Sequence, residues 1–167
     1  MTFDFDRIIE TLSRKRVAYV LVGGMAAVAH GSTLPTEDVD ITPARERLNL
    51  DRLAAALREL GARIRSEGEP GGVEFPCTGP FLAAMPMMLN LTTDAGDVDL
   101  TLEPSGFSGG YDDLAPRAVA IELGDGVVVQ VAALDDVIAS KRAANRTKDR
   151  AALPYLEALA DEIGRGR

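Results

Sequence analysis

Residues 37–42 constrain the fold more than any other stretch of the chain. Asp38 and Asp40 alternate there with Val39 and Ile41, a period of two that predicts a strand with one apolar and one acidic face. Both carboxylates emerge on the same side, within reach of one shared ion. Like charges that close repel, and a cation is the simplest way to relieve them.

The segments around this strand predict their own conformations. Phe5, Ile8, Ile9 and Leu12 fall at helical spacing, so residues 4–15 read as an amphipathic helix. Residues 17–22 read as a buried strand, Gly23-Gly24 as the turn that breaks it, and the Ala-rich residues 25–30 as a short helix. Leu50, Leu53, Ala54, Leu57 and Leu60 form a second helical stripe, ended by Gly61. Residues 66–80 hold four glycines and three prolines and are expected to be an irregular, flap-like loop. Strand-like residues 87–93 and 98–103 meet across Asp94-Ala95-Gly96, and residues 119–123 and 127–131 across Gly124-Asp125-Gly126, which predicts two hairpins. Leu134, Val137 and Ile138 open a helix with Asp135 and Asp136 at its positive end, and Leu153, Leu156, Leu159 and Ile163 mark a last one.

These elements predict an α/β (α+β) fold, a small mixed β-sheet with flanking helices. At 167 residues one domain spanning 1–167, with a helical segment at about 134–163, is the expectation. The composition, 46% apolar and 26% charged, suits a globular chain rather than a disordered one. The acidic N-terminal residues do not fit a secretory signal. Cys77 has no second cysteine to pair with, so the cytoplasm is the expected compartment. A net charge of −8 disfavours broad binding to polyanions. Two basic clusters stand against that field: Arg14 to Arg16, and Lys141, Arg142, Arg146, Lys148 and Arg150. Each reads equally as a solvated helix face or as a local anion contact.

Asp99, between Val98 and Leu100 on the polar face of its strand, offers a third carboxylate. Asp94, in the turn, and Asp97, at the strand start, are its rivals. Hard oxygen ligands of this kind suit Mg²⁺ or Mn²⁺, and two such ions bridged by carboxylates form the clamp used in phosphoryl and nucleotidyl transfer. Gly23-Gly24 follows an apolar strand and precedes a helix, where bare amides make a phosphate cradle or simply a tight turn. Lys141 lies on the apolar stripe of its helix, either reaching toward phosphates or snorkelling at the edge; Lys148 and Arg146 are secondary candidates for the same task. His30, beside Gly31 at a helix end, reads as structural or catalytic, and Cys77 as incidental.

Leu21-Val22-Gly23-Gly24, then thirteen residues, then Asp38-Val39-Asp40-Ile41, with Val98-Asp99-Leu100 as a third acidic strand, resembles the signature of the DNA polymerase beta-like nucleotidyltransferase superfamily. Thr36, two residues before Asp38, and Lys141, Arg146, Lys148 and Asp149 near the C-terminus are similar to a bacterial branch that includes AbiEii-type toxin nucleotidyltransferases. The resemblance runs from about residue 17 to residue 160. It implies that Asp38, Asp40 and Asp99 bind two divalent ions that hold an NTP, and that an acceptor hydroxyl attacks the α-phosphate with release of pyrophosphate. It departs from the superfamily at Gly24, where serine is common. The acceptor it implies is a tRNA, protein or small-molecule hydroxyl, with a cognate antitoxin as a possible partner in the toxin branch. The other reading is a catalytically idle relative serving as an antitoxin-like binding or regulatory partner.

Overall fold

The computed structural model describes residues 2–167. Asp4 caps α1 (Phe5–Arg14) by accepting the Arg7 amide at 3.0 Å, and the helix turns Ile8, Ile9 and Leu12 inward. β1 (Tyr19–Val22) is buried along its whole length and runs straight into α2 (Gly23–Ala29). The glycine pair is thus the first turn of the helix rather than a turn ahead of it.

β2 (Asp38–Pro43) keeps the expected alternation, with Val39 and Ile41 fully buried. α3 (Arg47–Glu59) packs Leu50, Leu53, Ala54 and Leu57 into the core. Its Asn49 is buried and ties the helix to the sheet: the side-chain amide donates to the carbonyls of Ala18 and Ala44, each at 2.8 Å, and its oxygen accepts the Ala18 amide at 2.7 Å.

The expected loop at 66–80 is for the most part ordered secondary structure. β3 (Arg63–Ser66) and β4 (Glu69–Val73) form an antiparallel hairpin, and α4 (Gly79–Ala83) follows, capped by the Thr78 hydroxyl. The hairpin left no trace in the pattern because β4 exposes nearly every residue, so its strand geometry comes from the backbone ladder and not from an apolar face.

β5 (Met88–Thr93) and β6 (Gly96–Thr101) form the first predicted hairpin. A short α5 (Tyr111–Leu114) and a 3₁₀ turn lead to the second, β7 (Val119–Glu122) with β8 (Val128–Val131). α6 (Leu134–Ala144) ends with Asn145 in the left-handed region, and α7 (Thr147–Arg165) starts well over one turn before Leu153, where its apolar stripe begins.

The strands make one mixed sheet of eight, in the order β4-β3-β5-β6-β2-β1-β8-β7. β1 is antiparallel to β2 and parallel to β8, and β2 is parallel to β6. Buried side chains from the sheet and from α1, α2, α3, α4, α6 and α7 form one continuous apolar cluster. Each fully buried leucine or isoleucine there contributes about 1.5–3 kcal/mol relative to leaving it exposed.

Candidate active site

The parallel register of β2 on β6 sets Asp40 beside Asp99 and Asp38 beside Asp97. Val39, Ile41, Val98 and Leu100 turn into the core beneath them, which obliges the aspartates to share the opposite face. One carboxylate oxygen each from Asp38, Asp40 and Asp99 lies within 4.8 Å of the others.

Burial, helped by the charges of Asp38 and Asp99, pushes the Asp40 carboxyl up to about 7, although Lys148 and Lys141 pull the other way. Asp99 is also raised by burial, against the opposing pull of the Arg65 guanidinium. Carboxylates that resist ionising, gathered with no donor but oxygen, fit a hard divalent cation such as Mg²⁺ or Mn²⁺, because a dication favours their charged forms against both burial and mutual repulsion.

The glycines are explained by the same crowding. Gly23 sits at φ +65°, and a Cβ there would collide with the Asp40 carboxylate. A Cβ on Gly24 would lie 2.7 Å from the Thr36 hydroxyl, which itself donates to Asp38 Oδ1 at 3.3 Å. The helix therefore begins flush against the acidic strand, and its N-cap Val22 puts no side chain over the first amides.

A groove of about 1170 Å³ runs over this point. Lys141, Arg146 and Lys148 line it from α6 and α7. Asp149, wholly buried, organises the first two: it accepts from the Arg146 amide at 3.1 Å and Nε at 2.7 Å, and lies 3.7 Å from Lys141 Nζ. Across the groove stand Met87, Met88, Asn90, Thr101 and Glu103, with Met87 58% and Met88 48% exposed.

Of the candidates read from sequence, Asp38, Asp40, Asp99, Gly23, Gly24, Lys141 and Lys148 all line this groove, as does Arg146. Asp94 does not, and pairs with Arg63 at 3.5 Å. Asp97 lines the groove but is engaged by Arg65 Nε at 3.2 Å. His30 Nε2 lies 2.7 Å from the Ala132 carbonyl, a link between α2 and the end of β8. Cys77 is buried, with Sγ 3.6 Å from the Ala54 carbonyl. Sequence reading missed Arg65, whose strand shows no periodic signal, and the organising role of Asp149.

No protein-family model matches this chain, and no curated protein matches it either. Solved structures do. The lincosamide antibiotic adenylyltransferase LnuA, in its lincomycin-bound crystal structure, superimposes with a TM-score of 0.62 at 14% identity, over 95% of this chain and 99% of its own. The antibiotic-resistance factor ANT(2'')-Ia in complex with adenylyl-2''-tobramycin gives 0.53 at 17% identity, over 96% and 95%. Its solution structure gives 0.51 at 17% identity, over 95% and 89%. The mixed α/β architecture described above is thus one that nucleotidyltransferases share. Among the described residues no helix is long and apolar enough to cross a membrane.

Proposed function

We propose that this chain is a metal-dependent nucleotidyltransferase that moves NMP from an NTP to a hydroxyl of a small-molecule acceptor. The observation that carries this reading is the meeting of three carboxylates with an uncapped glycine helix start and a lysine-bearing wall in one groove. Asp38, Asp40 and Asp99 would hold Mg²⁺ or Mn²⁺ as a two-ion site. When bound, the ions neutralise the triphosphate and polarise the reacting oxygens.

The amides of Gly23 and Gly24 and the ammonium groups of Lys141 and Lys148 would face the triphosphate. Asp99, held by Arg65 through Oδ1, keeps Oδ2 for the ion site, where it would also receive the proton of the acceptor hydroxyl. The acceptor oxygen bonds to the α-phosphorus, the bond to the β-phosphate bridge breaks, and pyrophosphate carries away the electron pair. Positioning and charge neutralisation supply most of the rate.

The wall beyond Asp99 favours a small acceptor over a nucleic acid. Among the described residues that line it, Arg65 is the one cation, and it is already committed to Asp97 and Asp99. Two of the three arginines of the C-terminal cluster are also paired, Arg142 with Glu157 at 2.7 Å and Arg146 with Asp149, while Arg150 donates to the Asn145 carbonyl. The fold neighbours named for lincosamide transfer and for an adenylyl-tobramycin complex support the same acceptor class. The intact acidic triad speaks against an idle binding partner, and the buried, unpaired Cys77 suits the cytoplasm.

The test is transfer of label from each α-labelled NTP, with Mg²⁺ or Mn²⁺, to lincomycin, tobramycin, tRNA and protein extract, alongside Asp38→Ala and Asp40→Ala. Label on a small molecule, lost in both variants, is the expected result. Label on tRNA or protein would instead favour a toxin-type enzyme with a cognate antitoxin. No transfer, together with no nucleotide or metal binding by calorimetry, would leave the idle-partner reading.

A further inference from the structure

We infer that Arg65 is the positioning residue for Asp99, and that Asp97 acts by fixing Arg65; the inference rests on the transfer reading above. Arg65 stands on β3, and β5 lies between it and β6. Its guanidinium reaches across that strand and is held at three points. One terminal nitrogen donates to the Leu91 carbonyl at 3.0 Å and to Asp99 Oδ1 at 2.7 Å, while Nε lies 3.2 Å from Asp97 Oδ2.

Among the described residues, Asp99 is the one triad member with an ion-pair partner; Asp38 and Asp40 have none. A planar guanidinium with three fixed partners presents its N–H to Asp99 Oδ1 from a fixed direction, which a rotating ammonium cannot do. With Oδ1 anchored by Arg65, Oδ2 is the oxygen of Asp99 left for Asp38, Asp40 and whatever they bind. The arrangement also explains why Asp97, level with Asp38 in the ladder, is not a fourth free carboxylate in the groove.

Arg65 approaches from the side of the sheet away from the nucleotide wall. Gly23 follows β1 and Lys141 follows β8, both beyond β2 in the strand order. Loss of the guanidinium should therefore damage turnover and spare NTP binding. A misplaced reacting group typically costs about 100-fold in rate.

The experiment measures pyrophosphate release in the unaltered protein, Arg65→Ala, Arg65→Lys, Asp97→Asn and the Arg65→Ala/Asp97→Asn double variant, using the NTP and acceptor that exchange label in the assay above. Expected are a fall of about 100-fold in kcat for Arg65→Ala with KM for the NTP changed less than about threefold. Arg65→Lys should recover only part of the rate. Asp97→Asn should lose less than Arg65→Ala, and the double variant no more than Arg65→Ala, since Asp97 acts through the arginine. An Arg65→Ala variant with unchanged kcat, or a loss confined to KM, overturns the inference and leaves the transfer reading standing. Should Arg65→Ala not fold, Asp97→Asn decides: unchanged kcat there overturns the inference equally. Failure of the unaltered protein to transfer label to any acceptor sinks the transfer reading, and this inference with it.

Discussion

Replacing Asp40 with asparagine isolates the electrostatic cost of gathering the triad. Burial first, then the charges of Asp38 and Asp99, move this carboxyl from 3.8 to about 7. Between those values the folded chain keeps a proton that the unfolded chain has released. Stability therefore falls as pH rises through the window, and the full cost stands above about pH 7. At about 1.4 kcal/mol per pH unit the ceiling is about 4 kcal/mol. The groove is open to water, which weakens the field, so about 2 kcal/mol is the working figure. For a chain of this length that corresponds to about 5 °C in Tm. The assay is differential scanning calorimetry with EDTA at about pH 5 and pH 8, which bracket much of the upper part of this titration. The unaltered protein should lose about 3 °C more than Asp40→Asn between the two, since about two thirds of the window lies above pH 5, and Asp40→Asn should be the more stable at the higher pH. Mg²⁺ should then raise the unaltered protein at the higher pH and leave the variant nearly unmoved. Parallel pH responses in the two proteins, or a variant destabilised at the higher pH, would refute the reasoning.

Two further substitutions probe how the site is built. Gly24→Ser should reduce transfer, because its Cβ would lie 2.7 Å from the Thr36 hydroxyl and 3.0 Å from the Thr36 Cβ; adding Thr36→Ala should restore part of the rate, and transfer kinetics of the two variants check it. Asp149→Asn removes a fully buried anion from between Arg146 and Lys141, and should cost about 3 kcal/mol in chemical denaturation and raise KM for the NTP.

Much of this architecture is legible in the sequence, and the gaps have physical causes. The Val39/Ile41 and Val98/Leu100 alternations persist because each strand buries one face, so the pattern records the core directly. Both hairpins announced themselves through short turns rich in glycine and aspartate. β3 and β4 did not, since their residues lie mostly on partly or fully exposed positions where backbone pairing alone sets the conformation. The same holds for individual residues. Asp38 and Asp40 were found because a single residue separates them in sequence. Arg65 was not, because its partners Asp97 and Asp99 are 32 and 34 residues away and nothing in the intervening pattern fixes how β3 lies against β5.

Three strand pairings bring the site together, and each is specified by a buried face rather than by the functional residues. The antiparallel pairing of β1 with β2 matches Val22 to Asp40, so the end of β1 delivers Gly23 onto the start of the acidic strand. The parallel pairing of β2 with β6 matches Asp40 to Asp99. The parallel pairing of β1 with β8 matches Leu21 to Val131, so β8 finishes beside the glycine start of α2, and α6 carries Lys141 into the groove. A one-residue slip in β2 would drive Asp38 and Asp40 into the core and lift Val39 and Ile41 out of it. The apolar residues between the aspartates are thus what forces the carboxylates together, and the apolar core meets the cost of their repulsion until a cation relieves it.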